Sequence, residues 1–391
     1  MSVPFAPAGL DERAERVLAL MLEGQARLVA ALEAMEDEAA RDATAFEAME
    51  DEAARDATAF EAMEDEAARD APPLGAMAAP AAGEAASGAR AGRFGTRVWT
   101  RAEGGGGQAR VIEDGLVFER GGVNVSAVRG ERVPESLAAQ HPGVEGRAWF
   151  ATGISLVLHP RNPHVSAFHA NFRYFAVAGG AGRGEPGDDG VWWFGGGADL
   201  TPAYPVADDV RHFHATLAAW CGRHPQADHA AWKAACDDYF TVRHRGEMRG
   251  VGGVFFDELT PPHAPNHRFE SDLACVRDGI ATLLPAYAPL VARRRRTPYG
   301  ERERRWLALR RGRYVEFNLV YDRGTRFGLQ TGGHVEAILM SLPPVAGWAF
   351  EHRPDPGTPE ADALTCYRPR DWLAERDPAA GPEAAAPWRT A

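Results

Sequence analysis

Apolar and polar residues alternate along several stretches in the middle of the chain. Half-buried strands require this period of two, because successive side chains point to opposite faces of a sheet. Strands are predicted at Val123 to Val128, Ala148 to Leu158, Ser166 to Val177 and Val191 to Phe194. A hairpin is predicted over Arg110 to Glu119, turning at Gly115, and a short strand near Val254 to Phe256. Elsewhere the spacing is helical. Leu10, Val17, Leu18, Met21, Leu22 and Leu28 predict an amphipathic helix over residues 1–32 that packs on the main body. Further helices are predicted at about Asp208 to Cys221, Ala230 to Arg245, Phe269 to Arg295 and Glu301 to Arg311. Tyr314 to Tyr321, rich in aromatic and β-branched residues, reads as a returning strand. Adjacent strands followed by grouped helices predict an α+β fold with a large, mainly antiparallel sheet that the helices cover.

Residues 33–74 break this picture. They hold three copies of a 14-residue unit, Glu-Ala-Met-Glu-Asp-Glu-Ala-Ala-Arg-Asp-Ala-Thr-Ala-Phe, identical in the first two and diverging after Ala71 in the third. Each copy carries a net charge of −4, so the three account for the whole formal charge of −12 and the rest of the chain is neutral. Net charge therefore points to neither an acidic nor a basic partner. The apolar stripe of the repeats is thin, which predicts a solvated helix or a disordered insertion. An Ala/Pro/Gly linker over 75–95, a folded body over 96–376 and a flexible tail over 377–391 complete the expected organisation.

The four cysteines, Cys221, Cys236, Cys275 and Cys366, form no Cys-x-x-Cys pair, which fits a reducing compartment. The first twenty residues lack a basic and apolar leader pattern, and no apolar run is long enough to span a bilayer. A cytoplasmic protein is expected. Gly104 to Gly107 and Gly195 to Gly197 match neither dinucleotide nor phosphate-loop patterns, and read as loops or points of close approach. Arg293 to Arg296 sit at a helical C-terminus, where the helix dipole explains them without nucleic acid.

Two predicted strands carry an unusual polar face. Ser155, Val157 and His159 share one face, and His169, Asn171 and Arg173 share one face of the next strand. Glu, Lys and Thr of an ordinary wet face are missing, and Ser, His, Asn and Arg are donors to an anion. A carboxylate-binding cavity over the sheet is the expectation. His159, His169, His214 and His244 have no known metal-ligand spacing, so a structural or substrate-contacting role is the simpler reading of them.

Five stretches carry a resemblance: Ser155 to Pro163, His169 to Phe175, Trp192 to Pro202, Gly250 to Asp257 and Tyr314 to Thr325. In matching order they resemble the oxygen-dependent coproporphyrinogen III oxidases of haem biosynthesis, from about Arg97 to Leu373. The resemblance implies a homodimer, each subunit with a broad antiparallel sheet sandwiched between helical layers. It implies oxidative decarboxylation of two propionates of coproporphyrinogen III to vinyls, with molecular oxygen as co-substrate and no organic cofactor. Carried onto this sequence, the family's substrate contacts fall on Ser155, Asn171, Phe172 and Arg173. The catalytic positions fall on Asp199, His169 and Arg173. His159, His169, His214 and His244 take the positions the family assigns to a divalent metal, with His169 also a proton donor, while other members work without metal. Asp199 is expected to accept the pyrrole N–H. The chain departs from the family at a further substrate contact, reading Gly332-Gly333-His334 where the pattern has an arginine last, so this grip should weaken as the histidine loses charge. A metal-dependent oxygenase using the four histidines, and a tetrapyrrole carrier without turnover, are the alternatives. Neither a nucleic-acid partner nor a membrane span is expected.

Overall fold

A computed structural model describes residues 3–67, 91–178, 190–259, 268–330 and 334–374. Helix α1 (Glu12–Ala67) is followed by strands β1 (Gly95–Thr100), β2 (Gly105–Glu113) and β3 (Phe118–Gly130), the short helix α2 (Glu135–Ala138), and strands β4 (Trp149–Pro160), β5 (Ala167–Val177) and β6 (Val191–Thr201). Helices α3 (Ala207–Cys221) and α4 (His229–Tyr239) precede a small pair, β7 (Thr241–Val242) and β8 (Glu247–Met248), and then β9 (Gly252–Phe256). Helices α5 (Phe269–Arg294), α6 (Glu301–Val320), α7 (Arg323–Gln330), α8 (Val335–Leu339) and α9 (Pro359–Leu364) follow. Strands β1 to β6 pair in chain order and β9 closes the edge, giving a seven-stranded antiparallel sheet. The fold is α+β, as the pattern of elements predicts.

The alternation along the strands divides this sheet into two unlike faces. Val123, Val125, Ile154, Leu156, Phe168, Phe172, Phe194, Val254 and Phe256 line one face and are buried in the main core. Helices α1, α3 and α5 supply the other half of that core through Val17, Met21, Phe213, Leu217, Trp220, Ile280 and Tyr287. Phe172 packs edge-on to Trp220 and Phe168 to Phe213, which locks the helices to the sheet. Each such side chain contributes about 1.5–3 kcal/mol of burial. The opposite face carries the polar rows, with α6 crossing part of it: Tyr314 meets His159 edge-on, and Arg311 donates to the Pro160 carbonyl at 3.0 Å.

Several sequence expectations are corrected. Tyr314 to Tyr321 is not a strand but the end of α6 and its cap. Its buried residues include Trp306, Arg310, Tyr314, Phe317 and Asn318, which recur at the helical period, and this burial overrides local β propensity. The second predicted helix of the middle region stops at Tyr239, and His244 lies in a short 3-10 turn at Arg243–Arg245. Gly105 to Gly107 and Gly195 to Gly197 are strand residues rather than loops, and close approach explains them. A Cβ at Gly195 would lie 2.5 Å from the Asp257 carbonyl and 2.7 Å from the Arg173 guanidinium carbon. No helix among the described residues is long and apolar enough to cross a membrane. Residues 375–391, which include the expected tail, residues 68–74 of the third repeat and residues 75–90 of the expected linker lie outside the described residues.

The largest correction concerns the repeats. Helix α1 does not end near residue 32 but continues for 56 residues in all, through the first two copies and into the third. The first copy is part of the folded body. Glu36 is fully buried and its carboxylate accepts four backbone N–H groups, from Gly92 at 3.0 Å, Leu116 at 2.7 Å, Val117 at 3.0 Å and Phe118 at 2.8 Å. A Cβ at Gly115 would lie 2.5 Å from a Glu36 oxygen, so the glycine of the β2–β3 turn lets the acid in. Glu33 accepts the Phe94 N–H at 2.8 Å, and Glu38 and Asp42 pair with Arg295 at 2.7 and 2.6 Å. The basic run after α5 is thus matched by acids of the repeat.

Because the first two copies are identical, deleting either one leaves the same sequence, and the remaining copy takes the place after Leu32. Deletion of residues 47–74 is expected to leave the urea midpoint unchanged. Glu36→Ala strands four buried donors and is expected to cost about 3 kcal/mol or more in the same unfolding experiment.

Candidate active site

Cross-strand register gathers the polar residues. Asn124 of β3, Ser155 of β4, Asn171 of β5 and Gly197 of β6 are successive partners, and Val157, His169 and Asp199 form the adjacent row. A third row holds Gly153, Arg173 and Gly195. Glycines alternate with donors, so these rows form a low, partly open floor. The sequence pattern does not single out Asn124. Its Oδ1 is buried on this floor without a hydrogen-bond partner, and only the strand register shows that it neighbours Ser155.

At one end of the floor Arg173 donates to Asn171 at 3.1 Å and pairs with Asp257, which also accepts from Arg323 at 2.7 Å. Both guanidinium groups lie over the Phe255 ring, at 5.9 and 5.6 Å. Two cations sharing one carboxylate keep a net positive charge, and all three side chains are well exposed. Exposed pairs contribute about 0–1 kcal/mol, so Asp257 is weakly held here. Asp257 and Arg323 lie inside the Gly250 to Asp257 and Tyr314 to Thr325 stretches, yet nothing in either stretch shows that they meet.

At the other end stands a buried relay. The His169 Nδ1 lies 2.6 Å from the Asp199 Oδ1, and Arg249 holds the same carboxylate through contacts of 2.9, 3.0 and 3.3 Å. Asp199 is 1% exposed and Arg249 2%. Burial acts to raise the Asp199 pKa, but the Arg249 charge, then His169 and the hydrogen bonds from both, outweigh it and hold the carboxyl below its usual range. An ionised carboxylate only accepts, so in the neutral ring Nδ1 carries the hydrogen and Nε2 is the acceptor. Asp199 therefore stands one side chain behind the position of direct base that the sequence suggested, and His169 stands in front. Arg249 immediately precedes the Gly250 to Asp257 stretch, and no periodic pattern singles it out.

Residues 82–372 match the family model of coproporphyrinogen III oxidase. The chain belongs to the coproporphyrinogen III oxidase family. The family supports oxidation of coproporphyrinogen in the haem pathway, and coproporphyrinogen III is the substrate it implies.

Two family-derived expectations do not fit the geometry. Phe172 points into the helical core with no exposure, so its side chain is not a substrate contact. The four histidines do not converge. His159 is buried, with Nε2 2.9 Å from the Ser341 carbonyl. His214 is in α3, on the other side of the sheet, with Nε2 3.1 Å from the Val251 carbonyl. His244 is held between Tyr321 and Glu316, each at 2.7 Å, and His169 is held by Asp199. Among the described residues no group of three or more His, Cys, Asp and Glu side chains is placed to hold a metal. These histidines do not fit a shared cation. Gly332 and Gly333 lie outside the described residues. His334 stacks on Trp99 at 5.7 Å, and its Nδ1 accepts the Ala337 N–H at 3.2 Å, so a protonated ring must give up this cap.

Burial, and after it the charges of Arg311 and Lys233 respectively, push His159 and His214 down to about 3. In the unfolded chain both take up protons below about 6.5. Their contribution to stability is therefore complete above about pH 6.5 and is lost as pH falls toward 3. Each is expected to remove about 1.4 kcal/mol per pH unit over that range. Urea unfolding at pH 7, 6 and 5 measures the slope, and His214→Gln should make it shallower. At the relay, Asp199→Asn leaves Arg249 buried without its counter-charge and is expected to cost about 3–5 kcal/mol, also read by urea unfolding.

Proposed function

We propose that the protein is an oxygen-dependent coproporphyrinogen III oxidase, converting two propionates to vinyls and giving protoporphyrinogen IX. The observation that carries this reading is the His169–Asp199–Arg249 relay on the same floor as the Arg173 and Arg323 cations. A porphyrinogen presents carboxylates at its rim and pyrrole N–H groups in its centre. Exposed guanidinium groups suit the first, and a histidine base backed by a carboxylate suits the second. Ser155 and Asn171, between these two ends, orient the macrocycle.

In this reading the His169 Nε2 accepts the pyrrole N–H proton, and Asp199 stabilises the imidazolium that forms. The electron-rich ring then passes two electrons and a proton from the propionate β-carbon to dioxygen, which takes one further proton and leaves as hydrogen peroxide. Cleavage of the bond to the carboxylate releases carbon dioxide, and its electron pair closes the vinyl double bond as the ring nitrogen recovers its proton from His169. Each propionate thus consumes one dioxygen and yields one carbon dioxide and one peroxide. Arg173 holds the reacting propionate, since bidentate recognition fixes which chain reaches the base.

We also propose a homodimer. Its support is the set of exposed apolar residues along α6 to α8, Leu319, Val320, Leu329 and Val335, which a monomer would leave in water. Sedimentation at several concentrations tests it.

The assay is incubation of the purified protein with coproporphyrinogen in air, reading protoporphyrin fluorescence after oxidation. Product in air and none under argon is expected, whereas product without oxygen, or none with it, overturns the reading. Arg173→Lys should lower kcat/KM by more than about threefold, or roughly 0.65 kcal/mol of transition-state stabilisation. A smaller effect rules Arg173 out as the group that holds the reacting propionate.

A further inference from the structure

The cross-strand row that contains Arg173 continues to the far edge of the sheet. From β1 to β6 it reads Trp99, Gly107, Ser126, Gly153, Arg173 and Gly195. Trp99 and Arg173 are four strand spacings apart, about 19 Å between backbones. The residues between them are two glycines and a serine, which leaves a trough with a large side chain at each end. At the β1 end the Trp99 ring lies over Gly107, where a Cβ would come 2.5 Å from it. The indole Nε1 is buried and has no hydrogen-bond partner. Arg97, two residues earlier on the same face of β1, is exposed. Its Nη1 donates to the Thr96 carbonyl at 3.0 Å, and among the described residues no acid pairs with it. His334 covers the indole at 5.7 Å, and because its Nδ1 accepts the Ala337 N–H, it presents no cation here.

We propose that Arg97 and Trp99 form a second carboxylate subsite, which holds a propionate on the side of the macrocycle opposite the one that Arg173 holds. Buried polar groups are almost always hydrogen-bonded, so an open indole N–H on the floor of a binding site calls for an acceptor from outside the chain. Indole and guanidinium groups donate and do not accept, and the guanidinium adds positive charge, which together suit an anion. A tetrapyrrole carries carboxylates on both sides of its ring, and one lying along the trough presents one at each end. Gly107 and Gly153 let its face come close to the sheet. The subsite also accounts for the histidine at 334, where the resemblance has an arginine. Stacking of His334 on Trp99 places this position at the β1 end, and Arg97 supplies from the strand the charge that His334 lacks. The exposed His334 ring moves aside as the carboxylate reaches the indole N–H.

This inference rests on the reading of the floor as the porphyrinogen site, so binding and turnover are measured separately. The binding probe is coproporphyrin III, the oxidised ring with the same four carboxylates, titrated by its fluorescence. Trp99→Phe keeps the ring over Gly107 and removes the N–H, and should raise Kd about tenfold, the scale of one hydrogen bond to a charged group. Arg97→Gln should raise it about fivefold. In turnover both variants should raise KM by similar factors while kcat stays within about threefold. Mesoporphyrin IX, whose two carboxylates lie on one side of the ring, cannot bridge the trough, and its Kd should be the same in wild type and variants. Adding His334→Arg to Arg97→Gln should bring coproporphyrin binding back to within about twofold of wild type. Coproporphyrin binding within about twofold of wild type in both single variants overturns the proposal, as does equal weakening of mesoporphyrin, which marks general damage to the floor. Failure of His334→Arg to restore binding removes Arg97 from the subsite. A Kd that responds to both variants while wild-type protein makes no product in air sinks the oxygen-dependent reading and leaves the subsite standing.

Discussion

A carboxylate taken out of water has to be surrounded by partners that replace its hydration, and the site of this protein is arranged around one such group. Asp199 is on an inner strand, next to the edge strand β9, with both oxygens inside the protein. The desolvation penalty of an unpaired ion at such a position amounts to several kcal/mol, enough to unfold a domain of ordinary stability. Arg249 removes that penalty and brings one of its own, which three aromatic rings and Asn318 offset. The position of α6 over the polar face follows from this requirement, since Tyr314, Phe317 and Asn318 are its buried side. The chemistry follows as well, because the remaining acceptor capacity of Asp199 is what orients His169.

Glu36 meets the same constraint by a different route. Where Asp199 has a guanidinium, Glu36 has four backbone N–H groups, from Leu116 and Val117 of the β2–β3 turn, from Phe118 at the start of β3, and from Gly92 ahead of the sheet. Without the acid those donors would be left inside the protein without a partner. The acid thus serves the sheet as much as the sheet serves the acid, and α1 is tied to the hairpin beside its apolar contacts Leu32, Met35 and Ala39. A repeat that reads as surplus charge is in its first copy a piece of the fold, and the later copies extend the same helix.

The two ends of the polar floor are built on opposite principles. The relay is buried and over-determined, so that its geometry does not depend on the substrate. The Arg173, Asp257 and Arg323 group is exposed and weakly held, so that a carboxylate can replace Asp257. Rigid acid–base groups beside exchangeable anion-binding groups suit a substrate whose reacting centre must be fixed while its several carboxylates take turns. The antiparallel register makes the arrangement possible, placing His169 opposite Asp199 and, four residues along, Arg173 opposite Gly195.

Local sequence was enough for the strands β3 to β5 and the start of β6, for α3 and α5, and for the polar face of Ser155, His169, Asn171 and Arg173, because a period of two or of 3.6 is a property of consecutive residues. Sequence motifs also pointed to Asp199. Everything that depends on which distant residues meet was decided only in three dimensions. Tyr314 to Tyr321 has the composition of a strand, but burial of Tyr314, Phe317 and Asn318 against Arg249 makes it helical. Phe172 sits between two floor residues in the chain and on the opposite face in the sheet, as the period of two predicts, so it was the resemblance and not the strand pattern that misassigned it. The four histidines share a residue type and nothing else, each satisfied by a different partner. Glu36 belongs to a repeated sequence, and its burial against the β2–β3 turn follows from its place along α1, not from the unit itself. Burial and partnership are relations between segments far apart along the chain, and no window of neighbouring residues contains them.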